Sequence, residues 1–307
     1  MHTGFISHPD CAAHVVGSGH PECPERLAAI NDRVLASGLE AFLAVYEAPL
    51  ATDEQILRAH APSYLARLRA AAPEHGIRHL DADTAMSPGS LPAALRAAGA
   101  GVLATDLVIA GQVSNAFCAV RPPGHHAEPD KAMGFCLLGN VAIAALHALE
   151  YHGLERVAVI DFDVHHGNGT EAILAGDERV LMVGAFQHPF YPYSGTDAAA
   201  INIRNIPMPA GTRGEAYRSI VQRQWLPALH AHQPQMLFVS AGFDAHVEDD
   251  MASCGLVEAD YAWITEQICD VADTYCSGRI VSMLEGGYAL SALGRSAEVH
   301  LRMLAGL

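Results

Sequence analysis

The segment Val157-Ala-Val-Ile-Asp161-Phe-Asp163-Val-His165-His166-Gly167-Asn168-Gly169-Thr170 constrains this chain more than any other. A run of apolar, β-favouring residues stops at two acids and two histidines, then breaks at glycine. Continuous apolar strands belong to parallel sheets covered on both faces by helices. In such sheets functional groups collect at the carboxyl ends of the strands, where loops open over the sheet. Successive side chains alternate faces, so Asp161, Asp163 and His165 are expected on one side and His166 on the other. Three oxygen or nitrogen donors at the mouth of a sheet suit a divalent metal; His166 reads as structural.

Comparable apolar runs occur at residues 114–120, 180–186, 236–241 and 280–284, with 157–162 as the fifth. Helical patterns lie between them, roughly at 91–110, 141–151, 215–230, 259–275 and 291–304. Strands alternating with helices predict an α/β fold with a mainly parallel sheet and helices on both faces. No repeat or long polar linker divides the 307 residues, so one domain over 1–307 is expected. The net charge of −16 disfavours nucleic acid, whose binding needs basic patches, and would attract cationic partners such as basic protein tails or polyamines. No apolar run approaches the ~18 residues of a bilayer span, so no membrane association is expected. The first residues show neither a basic region nor a hydrophobic signal core, which makes a cytoplasmic location the default expectation. Seven cysteines without a CxxC pair read as reduced thiols, most of them in the core.

Four further segments carry chemistry. In Arg121-Pro-Pro-Gly-His125-His126-Ala127 the prolines and glycine fix a loop that presents two adjacent imidazoles. Ser240-Ala-Gly-Phe-Asp244 ends an apolar strand with a lone acid. Leu284-Glu285-Gly286-Gly287-Tyr288 ends another, its glycines permitting close backbone approach before a tyrosine. His20-Pro21-Glu22-Cys23-Pro24-Glu25-Arg26 precedes the first helix. Each alone has an ordinary structural explanation; together at strand ends they do not.

Taken together, and with Gly134-Phe-Cys136 and Asn140, these segments resemble the histone deacetylase superfamily, closest to its class II and bacterial deacetylase-like members. They occur in the family's order from residue 20 to 288. The resemblance implies an arginase-like fold of about eight strands and dependence on Zn²⁺, with Asp163, His165 and Asp244 as ligands. Two carboxylates and one imidazole leave open positions, as a catalytic zinc needs. It further implies His126 as general base, oriented by Asn168, and His125 as a neighbouring imidazole kept charged by Asp161. Tyr288 would donate to the oxyanion. Gly134, Phe135 and Tyr191 would wall a tunnel for an extended acyl-lysine stem, with Arg26 beneath the metal. Met251 falls where a polyamine-specific member would carry a glutamate. Gly184 removes a hydroxyl that in relatives helps bind a structural potassium beside Asp161, so a K⁺ site would rest on backbone carbonyls of Asp163 and His165.

The implied activity is removal of acetyl or other acyl groups from N-ε-acyl-lysine in proteins or peptides by metal-activated water. One alternative keeps the mechanism and takes acetylpolyamines or other small acylated amines. Another is a catalytically silent acyl-lysine binder, against which the complete set of base, tyrosine and ligands argues. An arginase-type ureohydrolase would need two metals, and only one complete ligand set is visible. A homo-oligomer is compatible with the sequence. His2, His8, His14, His20, His188 and His246 lack acidic company at matching positions and are expected in surface or loop roles.

Overall fold

The computed structural model describes residues 2–197 and 199–307. In chain order the strands are β1 (Thr3–Ser7), β2 (Leu43–Glu47), β3 (Arg78–His79), β4 (Ala85–Met86), β5 (Ala116–Cys118), β6 (Val157–Asp161), β7 (Val180–Gln187), β8 (Ile203–Met208), β9 (Leu237–Ala241) and β10 (Ile280–Leu284). Eight of them form one sheet in the order β2-β1-β5-β10-β9-β6-β7-β8, while β3 and β4 make a small antiparallel pair. Every ladder in the large sheet is parallel. Every residue of β5, β6, β7, β9 and β10 is buried. Because side chains alternate, that requires cover on both faces. The single α/β domain expected from the alternating pattern is therefore what forms.

The outer strands escaped the sequence pattern for a physical reason. Strand β2 is only partly buried, and β8 is buried only at its ends, Ile203 and Met208, with Arg204 and Pro207 exposed. Proline is tolerated at such an edge because one side of the strand needs no ladder partner. The pattern at 215–230 becomes a helix Gly214–Ile220, a π turn Val221–Trp225 and a second helix Leu226–His232. The helix Ser90–Ile109 is long and apolar enough to cross a membrane by length and composition, yet 67% of its most apolar window is buried inside the fold. It is the central core helix, packed on β1, β5 and β10.

The order of strands matters for the site. The four central neighbours β5, β10, β9 and β6 are the ones followed by the histidine pair, the Glu-Gly-Gly-Tyr segment, Asp244, and Asp163 with His165. Groups separated by up to 163 positions in sequence thus meet above one patch of sheet.

Candidate active site

Strand β6 ends at Asp161, so Asp163 and His165 lie in the loop beyond it and the pleat no longer dictates their direction. Asp161 and Asp163 still flank one ring, with Asp163 Oδ1 3.7 Å from His125 Nε2. Asp161 turns to His125, with Oδ2 3.0 Å from Nδ1, whereas His165 Nδ1 lies 3.0 Å from Asp163 Oδ1 and 3.1 Å from Asp244 Oδ2. Asp163, His165 and Asp244 form a buried group whose donor atoms lie within 4.8 Å of one another, close enough to hold a metal ion. The chemistry of the set fits a dication. Burial alone would neutralise His165, yet the two carboxylates hold a proton on it, raising its pKa to about 10. Burial and the neighbouring Asp163 carboxylate raise Asp244 to about 6. Asp163, His165 and Asp244 would hold a divalent ion in place of that proton, its charge balancing both acids. The glycines make room: a Cβ on Gly286 would sit 2.0 Å from Asp244 Oδ2, and its backbone N–H donates to Asp163 Oδ2 at 2.8 Å.

The two imidazoles of the loop after β5 touch at a 43° tilt with centroids 4.0 Å apart but live in opposite electrostatic settings. Burial depresses His125, but Asp163 and Asp161 more than reverse this and raise its pKa well above the ordinary value. Burial, with the positive neighbours His125 and His165, keeps His126 well below it. One ring is held charged and the other neutral. Environments that push two titratable groups apart are how acid and base roles are divided. His126 Nδ1 is 2.8 Å from Asn168 Oδ1. Glu285, a role the sequence did not reveal, accepts from the backbone N–H groups of Gly124 (2.6 Å) and His125 (3.0 Å) and so ties the imidazole loop to the end of β10.

Tyr288 is fixed from behind. Asp249 accepts from the backbone N–H groups of Tyr288 (2.6 Å) and Ala289 (3.0 Å), a second contact that no sequence signal marked. Burial raises the Tyr288 pKa well above 10, so its hydroxyl remains a donor. Arg26 is fully buried, with its guanidinium 4.9 Å from the Tyr288 ring centroid. It donates to the carbonyls of Gly287 and Glu285 and to Glu22, which places it behind the tyrosine rather than along the cavity wall. Glu22 also receives Arg121, and this ion cluster draws its carboxyl down to about 2 against the effect of burial.

A cavity of about 240 Å³ leads to these groups. Gly134, Phe135, Tyr191 and Met251 all line it, joined by Asp83 and Phe190. His126, His165 and Tyr288 form its floor. Tyr191 meets His126 edge-on at 5.2 Å, and Phe190 stacks on His165 at 5.5 Å. Phe190 was adjacent to the residue singled out in sequence, and its own role needed the loop's actual path. His20, expected to be incidental, sets its ring against Phe135 at 4.8 Å.

The other histidines divide. His14 and His246 lie in loops, as expected, but buried rather than at the surface: His14 joins Ser90 at 2.6 Å because the segment before the first helix folds inward. His166 is bonded to Ser194 and Glu171, a structural arrangement. Asp106, His147 and His152 also cluster. There Arg58 donates to His147 Nδ1 at 2.8 Å, so the ring's Nε2 carries the proton and donates to Asp106; hydrogen bonds already satisfy this group. Gly184 lies in register with Asp161 and offers no side-chain oxygen there.

The sheet and the site together define a metal-dependent class of hydrolase. The histone deacetylase domain model matches residues 20–304, and the chain belongs to that family. It is 40% identical over 294 residues to the histone deacetylase-like amidohydrolase of Pseudomonas aeruginosa, spanning 93% of this chain and 75% of that protein. It is 36% identical over 298 residues to a probable deacetylase of Archaeoglobus fulgidus, spanning 94% and 82%. Among solved structures, the HDA15 HD domain matches with a TM-score of 0.93 at 30% identity, covering 100% of this chain and 90% of that one. The chain is thus a deacetylase, an amidohydrolase acting on acylated substrates.

Proposed function

We propose that this protein removes acetyl groups from N-ε-acetyl-lysine side chains and does so with zinc at Asp163, His165 and Asp244. The observation that carries the reading is the aromatic cavity of about 240 Å³ that ends on His126, His165 and Tyr288. The Phe135 and Tyr191 rings lining this cavity suit a narrow apolar stem, and the apolar Met251 in the same lining suits it better than a second amine. The ion at the Asp163 cluster supplies a Lewis acid that polarises the amide carbonyl and acidifies water.

The chain's own groups do the rest. His126, neutral because it is buried beside positive neighbours, accepts the water proton at Nε2 and returns it to the departing amine. His125, charged and held by Asp161, adds a fixed positive field as negative charge develops on the carbonyl oxygen. Tyr288 donates its hydroxyl to that oxygen from the opposite side. Phe135, Phe190 and Tyr191 keep bulk water from the reacting atoms.

A substrate panel on zinc-defined protein tests this. An acetyl-lysine peptide should be turned over faster than acetylspermidine or acetylputrescine. Asp83 at the cavity wall and the net charge of −16 favour the small cationic amines as the second reading. A preference for the free polyamines would replace the substrate assignment. Tight peptide binding without turnover in zinc-loaded protein would replace the catalytic one.

A further inference from the structure

We infer that Glu128 is a positioning residue that sets the tautomer of His126 by dictating which way the Asn168 amide faces. The inference rests on the reading of His126 as the base. Asn168 is the N-terminal residue of the helix Asn168–Leu174, and Gly169 behind it leaves no space: a Cβ there would lie 2.4 Å from the carbonyl oxygen of Ala127. The backbone of Asn168 is therefore fixed against the histidine loop, and its remaining freedom is the choice of amide oxygen or nitrogen toward His126.

An amide offers the two options at almost the same shape, so its partners decide. On one side Asn168 Oδ1 stands 2.8 Å from His126 Nδ1. On the other, Asn168 Nδ2 stands 2.7 Å from Glu128 Oε1 and 3.3 Å from Met133 Sδ. A carboxylate only accepts, so the NH₂ group must face Glu128 and the oxygen must face His126. An oxygen only accepts, so His126 Nδ1 must carry the proton. Nε2 is then left with its lone pair toward the cavity, ready to take a proton. With the amide reversed, its NH₂ would face Nδ1, the proton would move to Nε2, and the ring could not act as base. Glu128 is itself held in place: its backbone N–H donates to Lys131 and its carbonyl lies 3.0 Å from His60 Nδ1.

The test inverts the donor order. Glu128→Lys puts a donor where the acceptor was, which turns the Asn168 oxygen away from His126. In a serine protease triad a wrong-tautomer imidazole lowers turnover by about 10⁴, so kcat should fall at least ~10²-fold with KM and metal content unchanged. Adding Asn168→Asp supplies a carboxylate that accepts from the lysine and from His126 alike, and kcat should recover by at least ~10-fold. The ¹⁵N shifts of the His126 ring, read on the metal-loaded protein, should move from Nδ1-protonated to Nε2-protonated in the single variant and back in the double. The milder Glu128→Gln, nearly isosteric and safe for folding, should show a mixture of the two tautomers. A Glu128→Lys protein that keeps its turnover, an unmoved tautomer in Glu128→Gln, or a double variant no better than the single would each overturn the inference. A wild-type protein with Nδ1 protonated but no hydrolytic activity would instead defeat the proposed function and leave the tautomer assignment standing.

Discussion

Replacing Gly134 by alanine measures how narrowly the base is held. Gly134 has φ 57° and the next residue, Phe135, has φ 67°, so two consecutive residues are left-handed where the cavity wall turns. A Cβ built on Gly134 would lie 2.3 Å from His126 Cδ2 and 2.6 Å from Cγ. Ordinary contact begins near 3.4 Å, so the imidazole would have to retreat by about 1 Å. The atom pushed hardest, Cδ2, is bonded to the Nε2 that must meet the water. Misplacing a reacting group by that distance can cost about 10²-fold, which is the fall in kcat expected for Gly134→Ala. Left-handed backbone at alanine costs roughly 1–2 kcal/mol, or a few degrees in Tm for a chain of this size. Turnover on an acetylated peptide, metal content and Tm should be measured together. A variant that folds, keeps its metal and works within about threefold of the parent would show that the ring tolerates displacement, and the argument from close packing would fail.

Tyr288→Phe should leave fold and metal content intact while lowering kcat by ~10²–10³; unchanged turnover would remove the tyrosine from the reaction. Glu22→Gln should destabilise the protein by about 3–5 kcal/mol, because it strands Arg121 and Arg26 as buried charges, and denaturant unfolding measures this. Since Glu22 is depressed to about 2 from 4.5, its stabilisation is present above pH 4.5 and is lost as pH falls through 2; the glutamine variant should lack that part of the acid decline. With His126 held well below 6.5 by burial and positive neighbours, the base stays unprotonated into mildly acid solution. The acid limb of kcat/KM, followed with metal content, should therefore lie below pH 6.5, and a limb above it would contradict the assignment.

Much of this site was legible because its groups sit beside strand signals. The apolar runs that became β6, β9 and β10 each deliver a functional residue within a few positions of their ends, so Asp163, His165, Asp244 and Tyr288 stood out. The residues that hold those groups did not. Glu285 reaches back 161 positions to the backbone of Gly124, and Asp249 grips Tyr288 from 39 positions away. Contacts from a side chain to a distant backbone leave no periodicity and no motif. Edge strands β2 and β8 were invisible since half-exposed strands need no continuous apolar run.

Asp163 and His165 leave β6 and Asp244 leaves β9, and those two strands share a ladder in which Asp161 pairs with Ser240. An ion bound between them would act as a clasp across a seam of the molecule, relieving the repulsion of two acids at its upper end. Only the folded chain gathers the three donors, so affinity for the ion is also resistance to unfolding. Chelation and heat would therefore attack the same joint, and a sample that lost such an ion on storage would lose cohesion together with turnover.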